Sequence, residues 1–240
     1  MYAAAGAMIV GMKAGDVHAG NLANANTPGF RADRLTFGSF QRVLLAGMKN
    51  PDGTPSSMYQ SVTTNASVVD LRPGALNTTG APMDLAVEGD GWFVVAGPRG
   101  EQYTRDGHLA RDLEGRLVTS GGWPLLSREG TPLVVPDTED FAVSEAGEVV
   151  SGGRTVGRLR LVKLTDAASV VKDGGNLVSG GAPVEDSESR VEQGMLEASN
   201  ADAMRTMVAM MTNLRFVEMN QRVIQAQDQS LERAIDVARR

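Results

Sequence analysis

The stretch that decides the fold is the C-terminal run Ala203–Ala238, AMRTMVAMMTNLRFVEMNQRVIQAQDQSLERAIDVA. Its apolar residues recur at alternating steps of three and four, which is the heptad spacing of a coiled-coil helix. Ser199 or Asn200 is suited to cap the first turn, because a short polar side chain can accept from free backbone N–H groups. We therefore predict a C-terminal coiled-coil helix within residues 191–240. The seam positions expected to mediate helix–helix assembly are Met207, Met210, Leu214, Val217, Gln221, Ile224, Asp228, Leu231 and Ile235.

The N-terminal run repeats this pattern more weakly, with Met1, Met8, Met12 and Leu22 at the same spacing. Each glycine within a helix costs roughly 0.5–1 kcal/mol relative to alanine. The glycines in this run are Gly6, Gly11, Gly15 and Gly20. Such a helix is not expected to form alone and needs a packing partner. We expect Met8 and Met12 to face the C-terminal seam, with small residues allowing a close approach.

Between the two ends the pattern changes to short strands separated by turns. The run from Asp84 to Ala96 contains two apolar segments joined by Gly-Asp-Gly at 89–91, and similar segments follow it. Asp-Gly and Glu-Gly turns at close spacing favour an antiparallel barrel or sandwich. The predicted order is therefore an N-terminal helix with an asparagine-rich stop in 1–30, an extended linker with short strands in 31–82, a β-rich domain in 83–190 and the C-terminal helix. Within the linker, Gly47–Ser57 has the composition of a mobile segment. The fold class is α+β.

The composition excludes several classes of protein. The 240 residues contain no cysteine, which removes disulfides, thiolate nucleophiles and the usual zinc sites. The net charge is −6 and basic residues are not clustered, so we expect no nucleic-acid partner. Aromatic residues make up 5%, which argues against an aromatic-lined substrate cleft. We also expect no membrane insertion and no cleaved signal peptide, since no apolar run is long enough.

The titratable residues do not suggest a catalytic centre. His18 and His108 are ninety residues apart and lack the context of a triad or metal site, so we interpret them as surface or turn residues. We likewise interpret Asp84, Glu88 and Asp90 as a solvated strand face and turn, since no calcium-loop spacing is present. We predict no catalytic residue, no cofactor, no metal and no small-molecule substrate.

The segment after the first helix reads NLANANTPGF at Asn21–Phe30. Asparagines tolerate the left-handed conformation, while Pro28 and Gly29 stop the helix. This run resembles the N-terminal signature of bacterial flagellar rod and hook proteins. The resemblance continues in order through DLAVEGDGWF at 84–93, YTRDG at 103–107, GRLVT at 115–119 and GMLEASN at 194–200. By the resemblance, the assembly signature comprises Asn21, Leu22, Ala23, Asn24, Asn26, Thr27, Gly29 and Phe30.

The resemblance implies a structural, non-enzymatic subunit of the rod, the drive shaft of the bacterial flagellum. It implies export through the flagellar export apparatus, other rod subunits as partners, a place in the periplasmic part of the basal body and helical assembly through the terminal helices. Val156–Leu159 and the tail past Asp228 are most similar to proximal-rod subunits, with a distal-rod subunit as the alternative. Two further alternatives are a cell-wall-binding β-domain oligomerised by helices and a cell-wall hydrolase, for which the sequence offers no convergent carboxylates.

Overall fold

The computed structural model describes residues 2–39, 62–136, 141–186 and 188–238. The linker segment predicted at Gly47–Ser57 lies outside the described residues. The chain divides into two units. We call one the helical unit, which comprises Met1–Ala23, Asp33–Ser67 and Asp202–Arg240, and the other the β unit, which comprises Asn24–Ala32 and Val68–Ala201. Both ends of the chain therefore belong to the same unit.

The helical unit contains two long helices and a two-stranded sheet. Helix α1 spans Tyr2–Ala23 and helix α2 spans Ala203–Ala238. Strand β1 (Asp33–Ser39) pairs with β2 (Val62–Val69), whose last two residues belong to the β unit. The sequence pattern predicts two short strands, Val62–Thr64 and Ser67–Val69, where the structure has the one continuous strand β2. The predicted α+β class, with a helix at each end and a β-rich middle, is confirmed.

Helices α1 and α2 contact each other and run antiparallel. A Cβ atom built on Gly11 would lie 2.7 Å from Cγ2 of Val217, whereas one built on Gly15 would lie 3.3 Å from Nδ2 of Asn213. Residues later in α1 therefore lie beside residues earlier in α2, which is the antiparallel arrangement. Asn213 also donates from Nδ2 to the backbone oxygen of Gly11 at 2.8 Å. Glycine at position 11 thus lies at a close approach of the two helices.

The β unit consists of short strands in several antiparallel sheets. Its strands are β3 (Leu76–Thr78), β4 (Leu85–Glu88), β5 (Gly91–Gly97), β6 (Gly100–Thr104), β7 (Leu109–Arg111), β8 (Leu117–Thr119), β9 (Ala142–Val143), β10 (Glu148–Ser151), β11 (Arg154–Arg158), β12 (Leu161–Leu164), β13 (Val171–Gly174), β14 (Leu177–Ser179), β15 (Pro183–Glu185), β16 (Arg190–Gln193) and β17 (Met195–Glu197). The largest sheet has the order β13-β14-β6-β5-β12-β15. A second sheet has the order β11-β10-β9, and three strand pairs join β4 to β16, β3 to β17 and β7 to β8. A one-turn 3-10 helix spans Ala167–Ser169.

Strand β5 is the centre of the β unit because it is buried on both faces. Trp92 and Val94 belong to one hydrophobic cluster, while Phe93 and Val95 belong to another. Successive side chains of a strand point to opposite faces, so a strand covered on both sides is apolar at every position. The continuous run WFVVA therefore reflects a central strand between two cores.

The Gly-Asp-Gly turn at 89–91 joins β4 to β5, as predicted, but the two strands belong to different sheets. β4 pairs with β16, whereas β5 pairs with β6 and β12. The chain therefore changes sheet at this turn, and β4 is held by a strand about one hundred residues further on. This arrangement brings the C-terminal part of the β unit next to the central motif.

The cap of α2 differs from the prediction of Ser199 or Asn200. Oδ1 of Asp202 accepts from the backbone N–H of Arg205 at 3.0 Å, so Asp202 caps the first turn. Asn200 is engaged elsewhere, because its amide makes hydrogen bonds of 2.6–2.9 Å to three backbone groups of the β unit. Asn200 therefore joins two backbone segments of the β unit and does not cap α2.

Candidate assembly site

Asn21, the first residue of the predicted signature, is buried and holds the start of β1. Its Nδ2 donates to the backbone oxygen of Asp33 at 2.9 Å, and its Oδ1 accepts from the Asp33 backbone N–H at 2.8 Å. An asparagine amide carries one donor group and one acceptor, so it can replace a neighbouring strand at this position. Within the same helical unit, Leu22 is half-buried and Ala23 is exposed.

The middle of the signature is a hydrogen-bonded turn in the β unit. The backbone N–H of Thr27 donates to the Asn24 carbonyl at 3.1 Å, and its hydroxyl lies 3.3 Å from Oδ1 of Asn24. The N–H of Phe30 then donates to the Thr27 carbonyl at 3.3 Å. Asn26 is exposed. The signature residues thus fix a backbone conformation that a helix could not continue.

Gly29 sits where two backbone segments approach closely. Its φ angle is +68°, and a Cβ atom at this position would lie 2.3 Å from both the carbonyl carbon of Arg105 and the nitrogen of Asp106. Its N–H donates to the backbone oxygen of Glu197 at 2.8 Å. Glycine is required here both by the conformation and by the available space. The N-terminal signature is therefore packed directly on the YTRDG and GMLEASN motifs.

Beside Gly29 lies a buried ionic cluster, which we define as Arg31, Arg105, Glu197 and Trp92. Nη2 of Arg31 lies 2.7 Å from Oε1 of Glu197, and Nη1 of Arg105 lies 3.1 Å from Oε2 of the same carboxylate. The three charged side chains are at most 1% exposed. The N–H of Gly74 also donates to Oε1 of Glu197, at 2.6 Å. The Glu197 carboxylate thus binds three separate parts of the chain.

Trp92 lies beside both arginines of the ionic cluster. Each guanidinium carbon is 5.4 Å from the centre of the indole ring, within the range of a cation–π contact. Arg105 also donates to the backbone oxygens of Val87 and Gly89, at 3.0 and 2.6 Å. These partners compensate in part for the removal of two cations from water.

Burial lowers the pKa of the Arg105 guanidinium to about 10, because the protein removes it from water, while the facing carboxylate of Glu197 opposes that shift. Arg105 therefore remains protonated at neutral pH. The ionic cluster holds two cations and one carboxylate, so loss of the carboxylate would leave two buried cations without a counter-charge.

Arg105, Glu197 and Trp92 lie within the sequence motifs but were not predicted as site residues, and Arg31 lies outside those motifs. The signal that could have found Glu197 is a single charged residue inside the otherwise uncharged motif GMLEASN, since such a charge is buried only when it is paired. The structure brings the central and C-terminal motifs together at the residues that follow the N-terminal signature. All of these residues lie in the β unit.

The predicted seam residues of α2 fall into two groups. Met210, Val217 and Ile224 are half-buried. The exposed group comprises Met207, Leu214, Gln221, Asp228 and Ile235. The side chain of Leu231 lies outside the described part of the structure. On α1, Met8 is half-buried and Met12 is 60% exposed.

The expectation of a solvated position is wrong for Asp84, which is buried and lies 2.7 Å from Nδ1 of His108. Glu88 is exposed, and Asp90 pairs with Lys163 at 2.7 Å. Among the described residues, no group of three or more histidine, aspartate or glutamate side chains is arranged to hold a metal ion. None of the described helices is both long and apolar enough to cross a bilayer.

Comparison with known protein families gives three matches along the chain. Residues 1–31 match the flagella basal body rod protein family. Residues 86–151 match the flagellar hook protein FlgE/F/G D1 domain, and residues 192–237 match the C-terminal domain of the flagellar basal body rod FlgEFG proteins. The three matches include the N-terminal signature, most of the central motif and the whole of α2 up to Val237.

Individual relatives agree with these matches. The flagellar basal-body rod protein FlgF of Caulobacter vibrioides is 37% identical over 189 residues, covering 77% of this chain and 75% of the relative. FlgF of Escherichia coli is 32% identical over 251 residues, covering 98% and 96%. The rod protein FlgG of Bacillus subtilis is 29% identical over 245 residues, covering 93% of each chain. The chain therefore belongs to the flagellar basal-body rod protein family, as a structural subunit of the rod.

Proposed function

We propose that this protein is a proximal-rod subunit whose α1 and α2 pair as a coiled coil and assemble helically with the same helices of neighbouring rod subunits. The observation that carries the proposal is the exposed apolar surface of α2. Its exposed large apolar side chains are Met204, Met207, Val208, Met211, Leu214, Phe216, Met219, Val223 and Ile235. An exposed apolar patch on one element is typical of an interaction site.

The lengths of the two helices support the proposal. α2 has 36 residues and is about 54 Å long, whereas α1 has 22 residues and is about 33 Å long. A single α1 cannot cover α2 along its length. On α1 itself, Ile9 and Met12 are 58% and 60% exposed, so this helix also has apolar surface to offer a neighbour. Burial of both surfaces would supply the packing energy that the glycine-containing α1 lacks.

Assembly in this form also fits delivery through the flagellar export apparatus into the periplasm. Helices that pack fully only against neighbouring subunits are weakly stabilised in the monomer. Keeping them unfolded before assembly therefore costs little free energy. The β unit has its own cores and would fold without those neighbours. We infer that its strands form an antiparallel barrel or sandwich.

The test is complementation of a strain that lacks its proximal-rod gene. Leu214 is 54% exposed on α2, and Leu214→Glu should abolish motility because a charge cannot be buried between subunits. Gln227→Glu introduces the same charge at an exposed position about 140° around α2 from Leu214 and should leave motility intact. Thermal unfolding of the β unit should be the same in both variants. Motile cells carrying Leu214→Glu would contradict the proposed assembly surface.

A distal-rod subunit is the second candidate, favoured by the similarity to FlgG over 93% of the chain. Both candidates use the same helices, so complementation of two different deletion strains is needed to distinguish them. Rescue of a strain that lacks the proximal-rod protein, without rescue of one that lacks the distal-rod protein, supports our proposal. The reverse result would assign the chain to the distal rod.

A further inference from the structure

One face of α2 is partly covered from the start of the helix to Ile224. Its half-buried residues recur at alternating steps of three and four, and they include Thr206, Met210, Asn213, Val217, Asn220 and Ile224. The contacts with α1 that Asn213 and Val217 make come from this face. Every described side chain of α2 after Ile224 is exposed. We call this face, on which α1 packs, the covered stripe.

Polar side chains recur every seven residues in the covered stripe, at Thr206, Asn213 and Asn220. Within the described part of the chain, Asn213 is the one of the three whose side chain has a hydrogen bond to α1, from Nδ2 to the Gly11 carbonyl at 2.8 Å. Nδ2 of Asn220 donates instead to the Phe216 carbonyl of its own helix, at 2.8 Å. A polar residue in a helix–helix seam can fix the register, because only one alignment gives it a partner.

Asn213 meets α1 at a notch formed by two glycines. A Cβ atom built on Gly15 would lie 3.3 Å from Nδ2 of Asn213, and one built on Gly11 would lie 3.6 Å from its Oδ1. The missing side chains therefore leave the space that the amide occupies. The glycines of α1 are Gly6, Gly11, Gly15 and Gly20, so only one pair of them lies four residues apart on one face. The notch occurs once along α1.

Apolar packing alone would not prevent α1 from sliding along α2. The apolar residues of the covered stripe repeat every seven positions, so a shift of one heptad, about 10 Å, again places apolar residues against α1. The same shift would replace Gly15 by Met8 or Leu22 in the notch. Asn213 would then lose the Gly11 carbonyl, and a half-buried amide without a partner is unfavourable. The register is therefore decided at the notch.

We propose that Asn213 sets the register of α1 on α2 and thereby fixes how the exposed apolar residues of both helices align into one surface for a neighbouring subunit. This inference deepens the proposed function and rests on it, since assembly is what uses that surface. Gln221 and Asp228, the polar residues of the predicted seam, are exposed and are not positioned for this role. Asn213 acts as a positioning residue, which makes one alignment better than the others at some cost in stability relative to an apolar residue.

The test measures one distance within the chain by double electron–electron resonance. The chain has no cysteine, so Asp16→Cys and Gln225→Cys, both at exposed positions, take spin labels at two known sites only. Labelled chains are assembled with an excess of unlabelled chains that carry the same residue at position 213, so the distance lies within one chain. We expect one distance with Asn213. Asn213→Leu should add a second distance, because a shift of one heptad moves the helices by about 10 Å relative to each other.

Asn220→Leu is the matched control, because it makes the same exchange one heptad later without removing a hydrogen bond to α1. It should give a single distance. Circular dichroism should show no loss of helix in Asn213→Leu, since leucine favours a helix more than asparagine does. An unchanged single distance in Asn213→Leu would overturn the proposal, and so would a loss of helix, because Asn213 would then only stabilise the pair. If Asn213→Leu does not associate, the distance is compared between the free variant and the free wild type, with the same two deciding outcomes.

Leu214→Glu separates this inference from the proposed function. Leu214 lies outside the covered stripe and is 54% exposed, so the substitution leaves the contact of Asn213 with α1 unchanged. Association that survives Leu214→Glu would contradict the proposed assembly surface and leave this inference standing, because the distance is measured within one chain. Two distances in the wild type would overturn this inference and leave the assembly surface standing.

Discussion

Nη2 of Arg31 lies 2.7 Å from Oε1 of Glu197, although 166 residues separate them in the chain. Arg31 follows the N-terminal signature directly, and Glu197 belongs to the motif that leads to α2. Their contact, with the Gly29–Glu197 backbone hydrogen bond of 2.8 Å beside it, ties the two segments that lead to the terminal helices to the same place in the β unit. Within the β unit, the ionic cluster therefore fastens the segment that follows the signature to the motif that precedes α2.

Glu197→Gln should destabilise the β unit by about 3–5 kcal/mol, because it leaves two buried guanidinium groups without a counter-charge. Urea unfolding followed by tryptophan fluorescence measures this loss. Glu101→Gln is the matched control. Glu101 pairs with Arg160 at 2.8 Å but is about half exposed, so its loss should cost at most about 1 kcal/mol. Equal effects of the two substitutions would show that the ionic cluster contributes no more than a surface pair.

Gly29→Ala should cost about 1–3 kcal/mol more than Gly80→Ala, measured by the same unfolding experiment. Both glycines have a positive φ, +68° and +72°, so both substitutions introduce backbone strain. Only at Gly29 would the added methyl group meet the backbone of Arg105, whereas nothing lies within 4 Å at Gly80. A Gly29→Ala variant as stable as Gly80→Ala would contradict the packing of the signature on the β unit.

Gly11→Ala should impair motility in the complementation assay, whereas Gly20→Ala should not. Alanine favours a helix over glycine by roughly 0.5–1 kcal/mol at either position. At Gly11 the new methyl group would meet Cγ2 of Val217 at 2.7 Å and force the helices apart, while the space around Gly20 is open. Circular dichroism should show no loss of helix in Gly20→Ala. Full motility with Gly11→Ala would mean that the close approach is not used in the rod.

The pattern of apolar residues along the sequence predicts those helices and strands whose buried faces depend on neighbouring residues in the chain. The heptad spacing of apolar residues in α2 reflects the period of a helix. The uninterrupted apolar run of β5 reflects a strand that is covered on both faces. The turn at 89–91 was also predicted, since its glycines permit the conformation. These features depend on neighbouring residues along the chain and on little else.

Contacts between distant segments could not be predicted in this way. A charged residue such as Glu197 reads as solvated when only its neighbours are considered, and it is buried because Arg31 and Arg105 come from elsewhere. The same holds for Asp84, whose partner His108 is 24 residues away. Asn200 resembles a helix cap in sequence, but it makes hydrogen bonds to the backbone of Ala32, Asp70 and Arg72 instead. Sequence therefore predicted the elements, whereas the partners of buried polar groups required the structure.

The central claim is that neighbouring subunits complete the terminal helices. Hydrogen exchange of the full chain, compared between dilute monomer and assembled rods, tests it most directly. We expect the strands around β5 to be protected in both states. We expect Tyr2–Ala23 and Ala203–Ala238 to exchange rapidly in the monomer and slowly in rods, because apolar side chains such as Leu214 are exposed until a neighbour covers them. Strong protection of both helices in the dilute monomer would contradict the account.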